Sequence, residues 1–210
     1  MVSLTLKNRV LPVILAVPEK ERKLRGKDQV AFLSSYARYA LELSANKSAV
    51  ELEAPAKDAD GVPLPEKGIY WSVTHKPDYV GAVVARTRIG IDLEYIRPCS
   101  EKLFKRVGNA REWQLIEADQ DELFFRYWTS KETVLKATGV GFKGISKCRV
   151  VSVQNDHHLV IEFQDRRWRI EHCYFDGHIA SVLNPNGNVA WTILNEKLQP
   201  LGPNRVKALI

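Results

Sequence analysis

From residue 148 to residue 194 the chain reads as five short strands in succession: 148–154, 158–164, 167–174, 178–184 and 189–194. Turn-forming residues separate most of them, at Asn155-Asp156, Asp176-Gly177 and Asn184-Pro185-Asn186-Gly187. Upstream, helical and strand patterns are mixed without regular βαβ alternation, which makes the fold class α+β. Residues 10–17 form an apolar run that predicts a first strand, and Pro12 within it and the Ala-Val-Pro at its end argue against a cleaved leader. Residues 18–28 are strongly charged and carry Lys20, Arg22, Lys23, Arg25 and Lys27. Phe32, Tyr36, Tyr39 and Ala40, widened by Leu33, Ala37 and Leu41, predict a helix over 29–45. Residues 54–67 hold three prolines and a glycine without periodicity and read as a loop. Strands follow at 69–74, 79–86 and 89–95, then a mostly helical stretch over 100–138.

Composition excludes several classes. Apolar residues at 45% and charged residues at 27% are those of a globular chain and not of a disordered or coiled-coil one. No stretch approaches the ~20 apolar residues of a membrane span. Cys99, Cys148 and Cys173 are widely spaced, without CxxC or zinc spacing, and their odd number fits reduced thiols in a cytoplasm. The formal charge of +6 favours anionic partners without choosing among them.

Three elements can carry chemistry. Strand 89–95, Ile-Gly-Ile-Asp-Leu-Glu-Tyr, alternates, so Asp92 and Glu94 leave one face and Ile89, Ile91, Leu93 and Tyr95 the other. Two adjacent anions repel unless a cation lies between them, and a hard divalent ion such as Mg²⁺ is a natural candidate. A merely wet strand face is the plainer alternative. Helix 121–138 has Asp119 or Asp121 as its cap, Gly139 beyond its end and Leu123, Phe124, Tyr127, Val134, Leu135 and Thr138 on its buried face. On its flank Glu132 and Lys136 have the i, i+4 spacing of an ordinary surface ion pair. Lys131 points toward the apolar stripe, where a lysine needs something polar for its head. The third element is Thr74-His75 at a strand end, where a lone histidine is usually structural.

Taken together these residues resemble the 4′-phosphopantetheinyl transferase superfamily, single-chain surfactin-synthetase-activating type. The matching motifs are Gly90-Ile91-Asp92-Leu93-Glu94 and Trp128-Thr129-Ser130-Lys131-Glu132-Thr133-Val134-Leu135-Lys136, followed by the glycine-rich turn at Gly139 and Gly141. Upstream, Ser72-Val73-Thr74-His75 stands where the family has Ser-His, and Pro18–Lys23 resembles its basic segment. Gly61-Val62-Pro63 stands where relatives often carry Gly-Lys-Pro, and Thr133 where they carry Ala or Ser.

The resemblance implies two similar lobes, each a small antiparallel sheet packed against a long helix, with the active site between them. The expected lobes are residues 1–88 and 89–210. It implies transfer of 4′-phosphopantetheine from coenzyme A to a serine hydroxyl of an apo carrier protein, with release of 3′,5′-ADP. Asp92, Glu94 and Glu132 are the expected Mg²⁺ ligands, and Glu132, Lys136 and Asp92 the catalytic set. Thr74, His75, Lys131 and Lys136, with Lys20 and Lys23, are expected to bind coenzyme A. The expected partner is an acidic acyl- or peptidyl-carrier protein met by a cytoplasmic monomer, with no nucleic acid or membrane involved. Two rivals are another Mg²⁺ enzyme acting on a nucleotide and a nucleic-acid-binding module. The second lacks any RRM, KH, HTH or zinc signature.

Overall fold

The apolar stripe of the first long helix dictates the first layer. The structure, a computed structural model, describes residues 9–195. Its elements are β1 (Val13–Ala16), α1 (Glu19–Arg22), α2 (Gly26–Lys47), β2 (Tyr70–His75), β3 (Tyr79–Ala85), β4 (Ile91–Tyr95), α3 (Glu101–Val107), α4 (Ala110–Trp113) and α5 (Gln120–Thr138). A 3₁₀ turn over Phe142–Lys147 leads to β5 (Arg149–Asn155), β6 (His158–Phe163), β7 (Arg166–Phe175), β8 (His178–Leu183) and β9 (Thr192–Leu194).

In the first lobe, α2 lays Leu33, Ala37, Ala40, Leu41 and Ala45 on a sheet of order β2-β3-β1-β9. The layer between them is filled by Val13, Leu15, Trp71, Val80, Ala82 and Val84. Ser44, buried in the same helix, donates to the Leu11 carbonyl at 2.8 Å and accepts from the Val84 amide at 3.2 Å, so both strand segments are pinned without an orphaned polar group.

The second lobe is an antiparallel sheet of order β4-β8-β7-β6-β5, with α5 across one face. Asp119 caps α5 by accepting from the amides of Asp121 and Glu122 at 3.1 and 3.0 Å, and Gly139 ends it in the left-handed conformation at φ 71°. Thr129 and Thr133 tie the helix to β8, through the Ser181 hydroxyl at 2.6 Å and the Ser181 carbonyl at 3.0 Å. The mixed α+β architecture of two helix-backed sheets agrees with the expectation.

One assignment needs correction. The last strand of the β-rich third does not stay in its lobe: β9 returns to the first sheet and runs parallel to β1, with Val13 opposite Thr192 and Leu15 opposite Leu194. Without it, β1 would present an open edge of unpaired backbone groups. A division into 1–88 and 89–210 therefore misplaces Thr192–Leu194, and residues 1–8 and 196–210 of those spans lie outside the described residues.

The approach of β4 to α5 requires a glycine. A Cβ on Gly90 would lie 2.0 Å from the Thr133 carbonyl oxygen, and no side-chain motion relieves a clash with helix backbone. Gly90→Ala should therefore shift β4 off α5 and cost at least the ~1–3 kcal/mol typical of overpacking. Urea denaturation checks this, and a loss below about 0.5 kcal/mol, the scatter of ordinary surface substitutions, would show that the approach is not tight.

Candidate active site

The ends of β2, β4 and α5 converge where the two sheets meet. Asp92 is only 5% exposed and Glu94 6%, so the face expected to be wet is covered. Thr74, at the end of β2, donates its hydroxyl to Asp92 Oδ1 at 3.1 Å, and Lys136 Nζ reaches the same oxygen at 2.8 Å. Lys136 also donates to the Ile91 carbonyl at 3.0 Å. Lys76 Nζ lies 2.6 Å from Glu94 Oε1, and Arg97 flanks the other oxygen of Glu94 at 3.6 Å. The repulsion expected between the two carboxylates is thus relieved by two lysines and an arginine.

Glu132, one helical turn before Lys136, does not form the i, i+4 pair that its spacing suggests. Lys136 turns instead to Asp92 on β4 of the same lobe. Burial is the main cause that pushes the Glu132 carboxyl up to about 6, with the negative charge of Asp92 adding to it and Lys136 and Lys76 opposing. Around the same point stand several cations. His75, exposed at the end of β2, is held below its ordinary pKa by partial desolvation and then by Lys136, Lys76 and Lys57. Lys57 is itself lowered, by desolvation and then by Arg38 and Lys136. Such mutual depression marks a crowd of positive charge that a bound anion would relieve.

Lys131 is not part of this cluster. Its side chain is fully buried, with Nζ 2.5 Å from Glu112 Oε1 and 2.5 Å from the Val107 carbonyl. Burial pushes its pKa down while Glu112 holds the proton in place. The expectation that Lys131 binds coenzyme phosphates is corrected accordingly, because its head already serves an internal ion pair and no solvent reaches it. Lys20 and Lys23 lie exposed in and just after α1, and among the described residues no hydrogen bond or ion pair joins them to Asp92. Lys57 and Lys76 went unnoticed in the sequence, since single lysines in loops and strand ends carry no pattern.

The fit to a divalent ion rests on donor chemistry. Asp92 Oδ2 is buried without a hydrogen-bond partner among the described residues, and Glu132 holds a half-buried oxygen pair nearby. These hard oxygens suit Mg²⁺. As placed, however, no three Asp, Glu, His or Cys side chains of the described residues are gathered closely enough to hold a metal. Lys136 and Lys76 neutralise Asp92 and Glu94 instead. No helix among the described residues is long and apolar enough to cross a membrane, and all three cysteines are free.

Residues 88–191 match the family model described as the 4′-phosphopantetheinyl transferase superfamily. The 4′-phosphopantetheinyl transferase HetI of Nostoc sp. is 39% identical over 107 residues, which cover 48% of this chain and 45% of that protein. AcpT of Escherichia coli K12, also named a 4′-phosphopantetheinyl transferase, is 25% identical over 129 residues, covering 58% and 60%. A 4′-phosphopantetheinyl transferase of Bacillus subtilis is 26% identical over 101 residues, covering 46% and 45%. The chain thus spans roughly half the length of the curated relatives that it matches. The matched stretch, residues 88–191, is the one that carries Asp92, Glu94, Glu132 and Lys136 on β4 and α5, and it is similar to the 4′-phosphopantetheinyl transferase superfamily.

Proposed function

We propose that this protein transfers the 4′-phosphopantetheine group of coenzyme A to a serine hydroxyl of an apo carrier protein and releases 3′,5′-ADP. The observation that carries this reading is the junction of the two motifs. Lys136 meets Asp92 beside a carboxyl, Glu132, whose pKa of about 6 suits proton exchange near neutrality.

In the transfer, a bond forms between the serine oxygen and the phosphorus that bears pantetheine. The bond from that phosphorus to the bridging oxygen of the pyrophosphate breaks. Catalysis of such a step rests on positioning and charge neutralisation. Glu132 accepts the serine proton. Lys136 holds the pyrophosphate oxygens and can give a proton to the leaving phosphate. Thr74 fixes the orientation of Asp92. His75 and Lys57, with Lys76 and Arg38 behind them, receive coenzyme phosphates, and Lys57 supplies a cation in the loop where Val62 cannot. Lys20 and Lys23 extend the positive rim toward an acidic carrier, which long-range attraction would steer onto the protein. Mg²⁺, held by Asp92, Glu94 and Glu132, would neutralise charge across the pyrophosphate when bound.

The parts of the site come from one chain, which supports a monomer, and the free cysteines support a reducing cytoplasm. The surfactin-synthetase-activating type is supported by likeness to the Bacillus subtilis protein and to the 4′-phosphopantetheinyl transferase of Aneurinibacillus migulanus, 28% identical over 89 residues.

Chromatographic detection of 3′,5′-ADP tests this reading. Release should require coenzyme A, Mg²⁺ and an apo carrier together, and Asp92→Ala should slow it by at least ~10²-fold, as for loss of one preorganised charge. Near-normal release by that variant would remove Asp92 from the site. In calorimetry, His75→Ala and Lys57→Ala should each weaken coenzyme A binding about tenfold, the loss of one charge-assisted hydrogen bond. Unchanged affinity in both would leave the cationic cluster without this role.

A further inference from the structure

A second concentration of positive charge lies away from the transfer site. A cleft of about 780 Å³ between the lobes is lined by Arg86 and Arg88, from the passage between β3 and β4, and by Arg166, Arg167 and Arg169 of β7. Among the described residues no aspartate or glutamate lines it, and Glu162, opposite Arg167 on the neighbouring strand, is paired with Arg149 at 2.6 Å. Among the described residues, none of these five arginines has a carboxylate partner within ion-pair distance.

The register places this cleft on the other side of the second sheet from Asp92. Val160 pairs with Arg169 and Glu162 with Arg167, while Glu171 and Ile91 each pair with Val182. By strand alternation Arg167, Arg169, Val182 and Ile91 share one face, while Arg166 and Trp168, at the start of β7, alternate to the other and border the cleft at its edge. Asp92 pairs with Ser181 on the opposite face, the one that α5 covers. The cleft is therefore not an extension of the Asp92–Lys136 cluster.

We infer that this cleft is a second anion site, which binds an oligophosphate bridging the two lobes. Guanidinium forks match phosphate oxygens bidentately, and arginines converging from two walls can hold several phosphates at once. The volume lies in the ~300–1,000 Å³ range of small-molecule pockets, which favours a compact ligand over a polymer. Arg166 stacks on Trp168 with its guanidinium carbon 5.2 Å from the ring centroid. That contact orients Arg166 at the edge of the cleft.

Calorimetry of the full chain with inorganic tripolyphosphate tests the inference. Binding should weaken at least ~10-fold in Arg167→Ala/Arg169→Ala, as expected when two charge-assisted contacts are lost. It should recover in part in Arg167→Lys/Arg169→Lys, and the same arginine substitutions should cause the same loss in a His75→Ala/Lys57→Ala background, where the coenzyme cluster no longer competes for the probe. All four arginine substitutions are at exposed positions, and matched thermal melts establish that the variants fold. No binding by the wild type would overturn the inference. So would equal binding by the alanine variant, or loss confined to the His75/Lys57 variant. A short oligothymidylate that binds more than ~10-fold tighter than tripolyphosphate would replace the compact ligand with single-stranded nucleic acid.

Discussion

Glu132→Gln should lower carrier modification at saturating coenzyme A and Mg²⁺ by at least ~10²-fold, the contribution of a positioned general base. The substitution keeps shape and removes charge and basicity, and among the described residues Glu132 has no ion-pair partner whose loss would disturb α5. With the carboxyl pushed up to about 6, an NMR titration of the metal-free wild type should show an inflection near that value, which saturating Mg²⁺ should draw down. The variant should show no such inflection. Stability follows the same titration. A carboxyl whose folded pKa is raised binds more protons in the native state, so its stabilising effect is present below about 4.5 and is lost as pH rises through about 6. Replacement by glutamine removes that loss. Urea midpoints should favour the variant at pH 7 relative to pH 4.5. A single-turnover rate within about threefold of wild type, far from the ~10² of a catalytic base, would remove Glu132 from the chemistry.

The largest stability effect belongs to the Glu112–Lys131 pair. Lys131→Met should cost about 3–5 kcal/mol, the usual penalty for leaving one member of a buried pair unmatched. Glu112 is held in place by much more than that lysine. Its Oε1 also accepts from the Val150 amide at 2.9 Å, and its Oε2 from the Asn109 amide and side chain at 3.0 and 2.9 Å. One carboxylate therefore joins α4, α5 and the start of β5. Glu112→Gln, which strands the ammonium instead, should destabilise comparably. Coenzyme A affinity per folded molecule should change in neither variant. A cost below ~1 kcal/mol in both, as for an exposed pair, would mean that the interior position is wrong. Intact stability with weakened coenzyme binding would return Lys131 to the ligand site.

What could be read in advance follows from where each signal resides. Helix α5 and strand β4 were legible because their information is local: a cap at Asp119, a stop at Gly139, strict alternation from Ile89 to Tyr95. The partner of Lys136 was not. Spacing along the helix pointed to Glu132, but the tertiary contact with Asp92 offers a more buried carboxylate together with the Ile91 carbonyl. The partner of Lys131 was hidden because Glu112 lies in a four-residue helix whose only local sign is the Asn109–Glu112 capping box. The destination of β9 could not be read from three residues, since a strand pattern does not say which sheet edge is open. Lys57 and Lys76 act through charge alone, which leaves no periodicity.

The transfer reaction itself is tested most directly by the intact mass of an apo carrier after incubation with this protein, coenzyme A and Mg²⁺. The carrier should gain the mass of one phosphopantetheine on a single serine, with an equal amount of 3′,5′-ADP released, and Glu132→Gln should leave it unmodified over the same interval. An unchanged carrier mass across acyl- and peptidyl-carrier proteins, or release of 3′,5′-ADP without any gain on the carrier, would contradict the assignment.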